Sequence, residues 1–451
     1  ISDGEGDRER SETVVGVLLP LDPACAFADT PTMHTLAQLK TGELRGTTRL
    51  SLSEGLTEFP QEIFDLADTL EVLNLSGNAL SALPDDLCRL RHLRVLFASN
   101  NRFTHLPESL GQCAELSMVG FKANRIATVA PDALPPKLRW LILTDNALTH
   151  LPDSIGRCAA LQKLMLAGNR LHQLPATLAD CRRLELLRIA ANDLDHLPDW
   201  LFSLPRLSWL AFAGNPFTSE PPVSAAPAIN WADIDLQQVL GAGASGVIHQ
   251  ARLKNEPVAV KLFKGAVTSD GLPHSEMMAC LNAGAHPNLI PVRGRVIGAP
   301  EGREALVMDL IDPAFRVLAG PPSLESCTRD IYAADTRFTA ETARLIARGI
   351  ASAAAHLDAH GLLHGDLYAH NILHNGHGGA LIGDFGAASF YPTGDTALQR
   401  LDVRAFGCLL EELVQYSEAT DEVMNVWRDA CLSDDPASRP LFAEMAEALQ
   451  L

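Results

Sequence analysis

The 451-residue sequence contains no run approaching the ~18 consecutive apolar residues of a membrane span, so no helical membrane segment is expected. It is poor in basic charge, with 36 Lys and Arg against 55 Asp and Glu and a formal net charge of -19. That balance argues against nucleic-acid or anionic-membrane partners, which need cationic surface. Charged residues are only 20% and apolar ones 47%, which excludes a disordered chain, and the length allows two or three domains. None of the nine cysteines forms a CxxC pair, and Cys113, Cys158 and Cys181 recur in register in LGQCAEL, IGRCAAL and LADCRRL. A shared buried slot explains that recurrence better than metal ligation or disulfides, and a reducing, cytoplasmic location follows as an expectation. VVGVLLPL near the start is followed by Ala24-Cys25-Ala26, yet it is short and follows an acid-rich segment, unlike a secretory signal. Residues 1–32 read as an upstream extension with Met33 as an alternative start.

What the sequence has in abundance is repetition. From 44 to 218 the pattern L-x-x-L-x-L-x-x-N recurs, marked by Asn78, Asn101, Asn124, Asn146, Asn169, Asn192 and Asn215 at intervals of 22 or 23 residues. This period and leucine pattern are those of leucine-rich repeats, each adding one short strand to a curved solenoid. In LEVLNLSGNAL, Leu70, Leu73, Leu75 and Leu80 are expected to point inward, and Asn78 to bond backbone groups where the chain leaves the strand. Leu-Pro pairs then open each return segment. Residues 1–43 read as extension and cap.

Strand alternation leaves Phe97, Met118, Trp140, Ile142, Met165, Leu186, Arg188 and Trp209 on the concave face, with Lys163 and Lys122 beside Arg188 as rim charge. Val72 and Val95 join them. So apolar a face predicts a binding surface for a protein substrate or regulator, with packing against the second domain as the alternative. Residues 219–230, rich in Pro and Ala, read as a linker short enough to allow contact between repeats and catalytic domain.

The second half, 231–451, carries chemistry. LQQVL, GAGASG and VIHQARL read as a strand, a glycine turn and a strand. Gly241, Gly243 and Gly246 let backbone amides approach phosphate oxygens. Lys261, in Val258-Ala259-Val260-Lys261, follows on the next strand, and Glu276 lies fifteen residues later in a helical stretch, able to pair with it. LVMDLI at 306–311 reads as a buried strand leading to a hinge. An amphipathic helix at 340–359 precedes His364-Gly365-Asp366-Leu367-Tyr368-Ala369-His370-Asn371, and Leu381-Ile382-Gly383-Asp384-Phe385-Gly386 follows.

In this order and at these intervals the residues resemble the protein-kinase family. With the front half, the chain resembles a bacterial-type leucine-rich-repeat kinase. The expected architecture is an α/β leucine-rich-repeat solenoid (44–218) followed by a two-lobed α+β protein-kinase-like domain, its N-lobe at 231–311 and its C-lobe at 312–451. The resemblance implies ATP and Mg2+ as cofactors, Asp366 as the base that orients the acceptor hydroxyl, the Lys261–Glu276 pair on the phosphates, and Asn371 and Asp384 as metal ligands. Val247, Ala259 and Leu373 complete the implied nucleotide pocket, with Met308 behind adenine and the backbone from Asp309 to Ile311 offered to it. Asp402-Val403-Arg404 matches the helix that anchors the catalytic loop.

The departures are specific. HGD replaces HRD, no APE follows, and only 15 residues separate Gly386 from Asp402. Arg439 therefore lacks its usual glutamate partner, and activation by loop phosphorylation is not expected, although Ser389, Tyr391, Thr393 and Thr396 are available. Tyr368 stands where Ser/Thr kinases have lysine, and His370 where many tyrosine kinases have arginine. The HGD form with a short segment is similar to atypical small kinases of the KEOPS type. Three functions stay open: a protein kinase, expected to be Ser/Thr-directed, whose repeats recruit substrate or regulator; a scaffold with a nucleotide-sensing pseudokinase; and a phosphotransferase or ATPase acting on a non-protein substrate.

Overall fold

The computed structural model describes residues 33–222, 226–265 and 267–448. The expectations for residues 1–32, including VVGVLLPL and Cys25, lie outside them.

Each repeat contributes three residues of strand because its middle residue, leucine in every strand but Met118–Gly120, must be buried on one side while its neighbours face the other. Eight such strands, from Arg49–Ser51 through Trp140–Ile142 to Trp209–Ala211, stack in register as one parallel sheet. The middle residues, such as Leu73, Leu141 and Leu187, are fully buried in a leucine core. Asparagine closes each turn. The Asn101 side chain donates to the carbonyls of Leu75 and Ala98 and accepts from the Leu80 amide, and Asn169 and Asn215 repeat this pattern. Buried backbone groups at the strand exit thereby gain partners that water cannot supply. Pro107, Pro152, Pro175 and Pro198 each precede a 3-10 turn on the convex side. Cys113, Cys158 and Cys181 are buried free thiols, pushed by that burial to about 12, 11 and 12.

The N-lobe is a six-stranded sheet in which Ile234–Ala242, Gly246–Leu253, Glu256–Phe263, Ala305–Asp309 and Val292–Ile297 run antiparallel in that spatial order. Ala228–Asn230 adds a parallel edge strand, so the last three residues expected in the linker belong to this sheet. The Pro273–Asn282 helix packs beside it. The C-lobe is built on the helices Ala340–Ala359 and Thr396–Gln415, followed by Glu422–Cys431 and Phe442–Ala448. No helix among the described residues is long and apolar enough to cross a membrane.

The C-lobe sits in the concavity of the solenoid. Val95, Phe97, Met118, Trp140, Ile142, Met165, Leu186 and Trp209 are all at most 7% exposed and share one hydrophobic cluster with Tyr368, Phe406 and Leu409. This corrects the expectation of an open partner-binding face. Apolar side chains of that size must be covered by something, and the protein's own C-lobe covers them. Lys163 and Arg188 are buried with them rather than standing at a rim. At ~1.5–3 kcal/mol for each large apolar side chain kept from water, this contact resembles a domain core more than a reversible gate.

Candidate active site

The strands Gly246–Leu253 and Glu256–Phe263 pair so that Ile248 lies opposite Lys261, which puts both side chains on one face. Period-two alternation therefore turns Val247 to the other face. Ile248, not Val247, lines the cleft. Ala259 and its register partner Met308 share the Lys261 face. Gly243 closes the glycine turn with its amide on the Gly246 carbonyl at 2.9 Å, and a Cβ on Gly246 would stand 2.6 Å from the Leu262 carbonyl oxygen. The turn is thus held against its own sheet.

Lys261 and Glu276 form a buried ion pair. Burial alone would push the Lys261 ammonium down, but the Glu276 and Asp384 carboxylates hold it above its usual range. At the hinge the Asp309 side chain pairs with Arg293 and its amide donates to the Pro291 carbonyl at 3.0 Å, so that amide is not free for adenine. Leu373 is buried between neighbouring strands, and Ile311 is half-buried just beyond Asp309. The cleft itself brings together Gly241, Gly243, Gly246, Lys261, Asp366, Asn371 and Asp384.

The catalytic loop hangs from Asp402. Its carboxylate accepts the His364 amide at 2.7 Å and the Gly365 amide at 3.1 Å, and burial raises its pKa to about 7. Asn371 donates to the Asp366 backbone carbonyl at 2.9 Å and to the Asp366 carboxylate at 2.8 Å. Its own amide oxygen is buried without a hydrogen-bond partner. An orphaned oxygen of this kind suits a hard cation, as does the Asp384 carboxylate in the same cleft. These two residues fit magnesium. Asp384 takes a left-handed backbone, φ 55°, with its carboxylate accepting the Gly386 amide at 3.1 Å.

His370 donates from its ring to Asp330 at 2.7 Å and from its amide to the same carboxylate at 3.0 Å. Burial opposes its charge, yet Asp330 raises its pKa. It is an anchor for the loop. Ser389 is fully buried, its hydroxyl accepting the amides of Phe212 and Ala213 in the last repeat at 3.0 and 3.1 Å. Tyr391 is buried with its hydroxyl on Asp358 at 2.7 Å. Of the available segment hydroxyls, Thr393 alone is exposed.

Comparison with known proteins fits this geometry. The family model for protein tyrosine and serine/threonine kinases matches residues 234–405, and that for leucine-rich repeats matches 46–103 and 159–217. The chain is a leucine-rich-repeat array joined to a protein-kinase domain. Over 213 residues the kinase half is 27% identical to the serine/threonine-protein kinase PITSLRE of Drosophila melanogaster, covering 46% of this chain and 20% of that one. It is 27% identical over 243 residues to a cyclin-dependent kinase 4 homolog of Caenorhabditis elegans, covering 51% and 55%. The chain thus spans less than two thirds of the length of these relatives. A leucine-rich-repeat protein of Leptospira interrogans is 25% identical, covering 40% of this chain and 53% of that one, with a TM-score of 0.34.

Two contacts at the kinase domain were not legible as such in the sequence. Arg188, from a repeat strand, pairs with Asp366 and Asp270. Arg439, whose glutamate partner is missing, instead donates to the Pro205 carbonyl of the last repeat at 2.7 Å. Burial lowers its pKa to about 10. Nothing in the local sequence of either arginine names its partner. The signal that existed was the missing APE and the glycine of HGD, which mark the face where something else must pack.

Proposed function

We propose that this protein transfers the γ-phosphate of ATP to a protein hydroxyl, with Ser/Thr specificity, using Asp366 to orient the acceptor. The supporting observation is the convergence, in one cleft, of the closed Lys261–Glu276 pair with Asp366, Asn371 and Asp384. Positioning and electrostatics supply most of phosphoryl-transfer catalysis, and these are what such a cleft offers. Lys261 would hold phosphate oxygens, with Glu276 fixing its direction. The glycine turn would cover the phosphates with backbone amides. Asn371 and Asp384 would hold magnesium, which neutralises phosphate charge when bound. Asp366, kept in place by Asn371, would accept the hydrogen bond of the attacking hydroxyl. The serine/threonine-protein kinase among its relatives supports the acceptor class. Recruitment by the repeats would fall to their convex side, since the concave side is covered.

A second reading, transfer to a small non-protein acceptor, is favoured by one observation: the repeats cover the outer face of the catalytic loop, with Trp209 stacked on Tyr368 at 4.1 Å. Labelled ATP offered to the full chain with cell-extract proteins and, separately, with small metabolites distinguishes the two. Protein label that disappears in Asp384→Asn supports the first reading. Label confined to metabolites would replace it with the second. Nucleotide binding with no transfer to either acceptor would leave a sensing scaffold.

A further inference from the structure

The catalytic loop has no lysine or arginine between Asp366 and Asn371, yet Asp366 does not lack a cation. Arg188, the last residue of the strand Leu186–Arg188, reaches it across the domain boundary. Its guanidinium pairs with the Asp366 carboxylate through one terminal nitrogen, and donates to the Gly365 carbonyl at 2.9 Å through the other and to Asp270 at 2.6 Å through Nε. All three nitrogens are engaged, and the side chain is only 1% exposed. Such a fork fixes direction as well as charge, which a lysine could not do.

The backbone is shaped for this approach. Gly365 has φ +70°, and a Cβ there would lie 2.4 Å from the Leu210 carbonyl of the neighbouring repeat strand. An arginine at that position, as in HRD, would keep the solenoid away. The glycine of HGD is therefore the opening through which the repeats meet the catalytic loop. Arg439 and Arg404, both on the Pro205 carbonyl, tie the same repeat to the C-lobe beside it. The contact is continuous with a buried apolar core, so Arg188 is resident rather than a lock that a ligand would lift.

We propose that Arg188 is a positioning residue of the kinase site, supplied by the leucine-rich repeats in place of the lysine or arginine that the catalytic loop lacks. It holds Asp366 in the orientation that receives the acceptor hydroxyl, and Asp270, from the segment before the Pro273–Asn282 helix, holds Arg188 in turn. The repeats are then part of the catalytic centre and not only a recruiting module. This rests on the phosphoryl-transfer reading above.

The test uses the full chain and water as acceptor, because the natural acceptor is unidentified. Phosphate release from Mg·ATP is measured for wild type, Arg188→Ala, Arg188→Lys and Asp384→Asn, with binding of a fluorescent ATP analogue and thermal melting in parallel. The expected result is a loss of turnover of about 100-fold in Arg188→Ala, analogue affinity within about threefold of wild type, and partial recovery in Arg188→Lys. If Arg188→Ala does not fold, Arg188→Lys carries the test: lower turnover at unchanged affinity supports the role, and unchanged turnover overturns it. Turnover in Arg188→Ala equal to wild type overturns the role of Arg188 while leaving the kinase reading intact. Faster turnover overturns it too, by making the repeats an inhibitor. If wild type releases phosphate no faster than Asp384→Asn, label transfer to cell-extract proteins replaces phosphate release as the readout for the same variants, and no label there either sinks the kinase reading, and the role of Arg188 with it.

Discussion

The two lobes of the kinase domain stand in different relations to the repeats. The N-lobe sheet has a cluster of its own, Ala251, Val258, Val260, Val296 and Val307 among its members, with no repeat residue in it. The C-lobe shares one cluster with the concave face of the solenoid, and its Leu363, Tyr391, Leu398 and Leu401 join the leucine core of the repeats as well. The unit that shares a core is therefore solenoid plus C-lobe, joined by Ala279 and Ala283 from the helical side of the N-lobe, although the sequence divides the chain between repeats and kinase. Domain boundaries read from motifs follow ancestry and pattern, whereas cooperative units follow shared burial.

The strongest way to break this comparison is to cut the chain. Residues 226–448 produced without the repeats would expose the C-lobe side of the shared cluster, and are expected to aggregate without a cooperative melt. Residues 33–222, with their own leucine core, are expected to stay soluble enough to show one. Circular dichroism melting and sedimentation of both pieces check this, and a C-lobe that melts cooperatively alone would make the interface dispensable. A smaller blow is Trp209→Ala, which removes a fully buried ring from the interface. It is expected to cost ~3–5 kcal/mol, read by denaturant unfolding of the full chain. The equivalent truncation in the N-lobe core, Val260→Ala, is expected to leave the repeats' hydrogen-exchange protection unchanged. That contrast sharpens the claim that the N-lobe sheet has a core separate from the repeats.

Gly365→Ala comes next. Its Cβ would meet the carbonyls of Leu210 and Ala387 at 2.4 and 2.7 Å, and the residue would keep a left-handed φ of +70°. A loss of ~1–3 kcal/mol is expected from the strained backbone alone, with protection lost in both the last repeats and the catalytic loop. Protection lost on one side only would show that the two are not coupled there.

The smallest effect is on pH dependence. Burial raises Asp358 from an ordinary 3.8 to about 7, against hydrogen bonds from Tyr391 and Gln399 that favour its charge. Between about pH 4 and 7 the folded protein thus holds a proton that the unfolded chain has released. Stability falls as pH rises through that window and levels off above it. The melting temperature is expected to be lower at pH 8 than at pH 5, and Asp358→Asn to narrow the difference. An Asp358→Asn protein with the full wild-type difference would assign the slope to other carboxylates such as Glu412, raised by burial to about 8.

Much was legible because it is local. A 23-residue leucine period can bury its middle residue in only one way, and the glycine hairpin, the Lys261 strand and the 340–359 helix follow from alternation and helical periodicity. Errors arose where two local readings competed. Val247 and Ile248 are both apolar and adjacent, and only the register opposite Lys261 chooses between them. Ala228–Asn230 lacks any strand pattern and is a strand because an edge was available.

By itself, the sequence determined a parallel-stranded repeat array with one apolar concave face and a residue set in the order of the protein-kinase family. It did not determine what covers that face. Arg188 and Asp366 are 178 residues apart, and no periodicity spans such an interval. Hydrophobic patterning states that a surface must be buried, and only the packing of the whole chain decides against what. Here it decided for the protein's own catalytic loop, and so brought a repeat arginine to the side chain that would orient the acceptor.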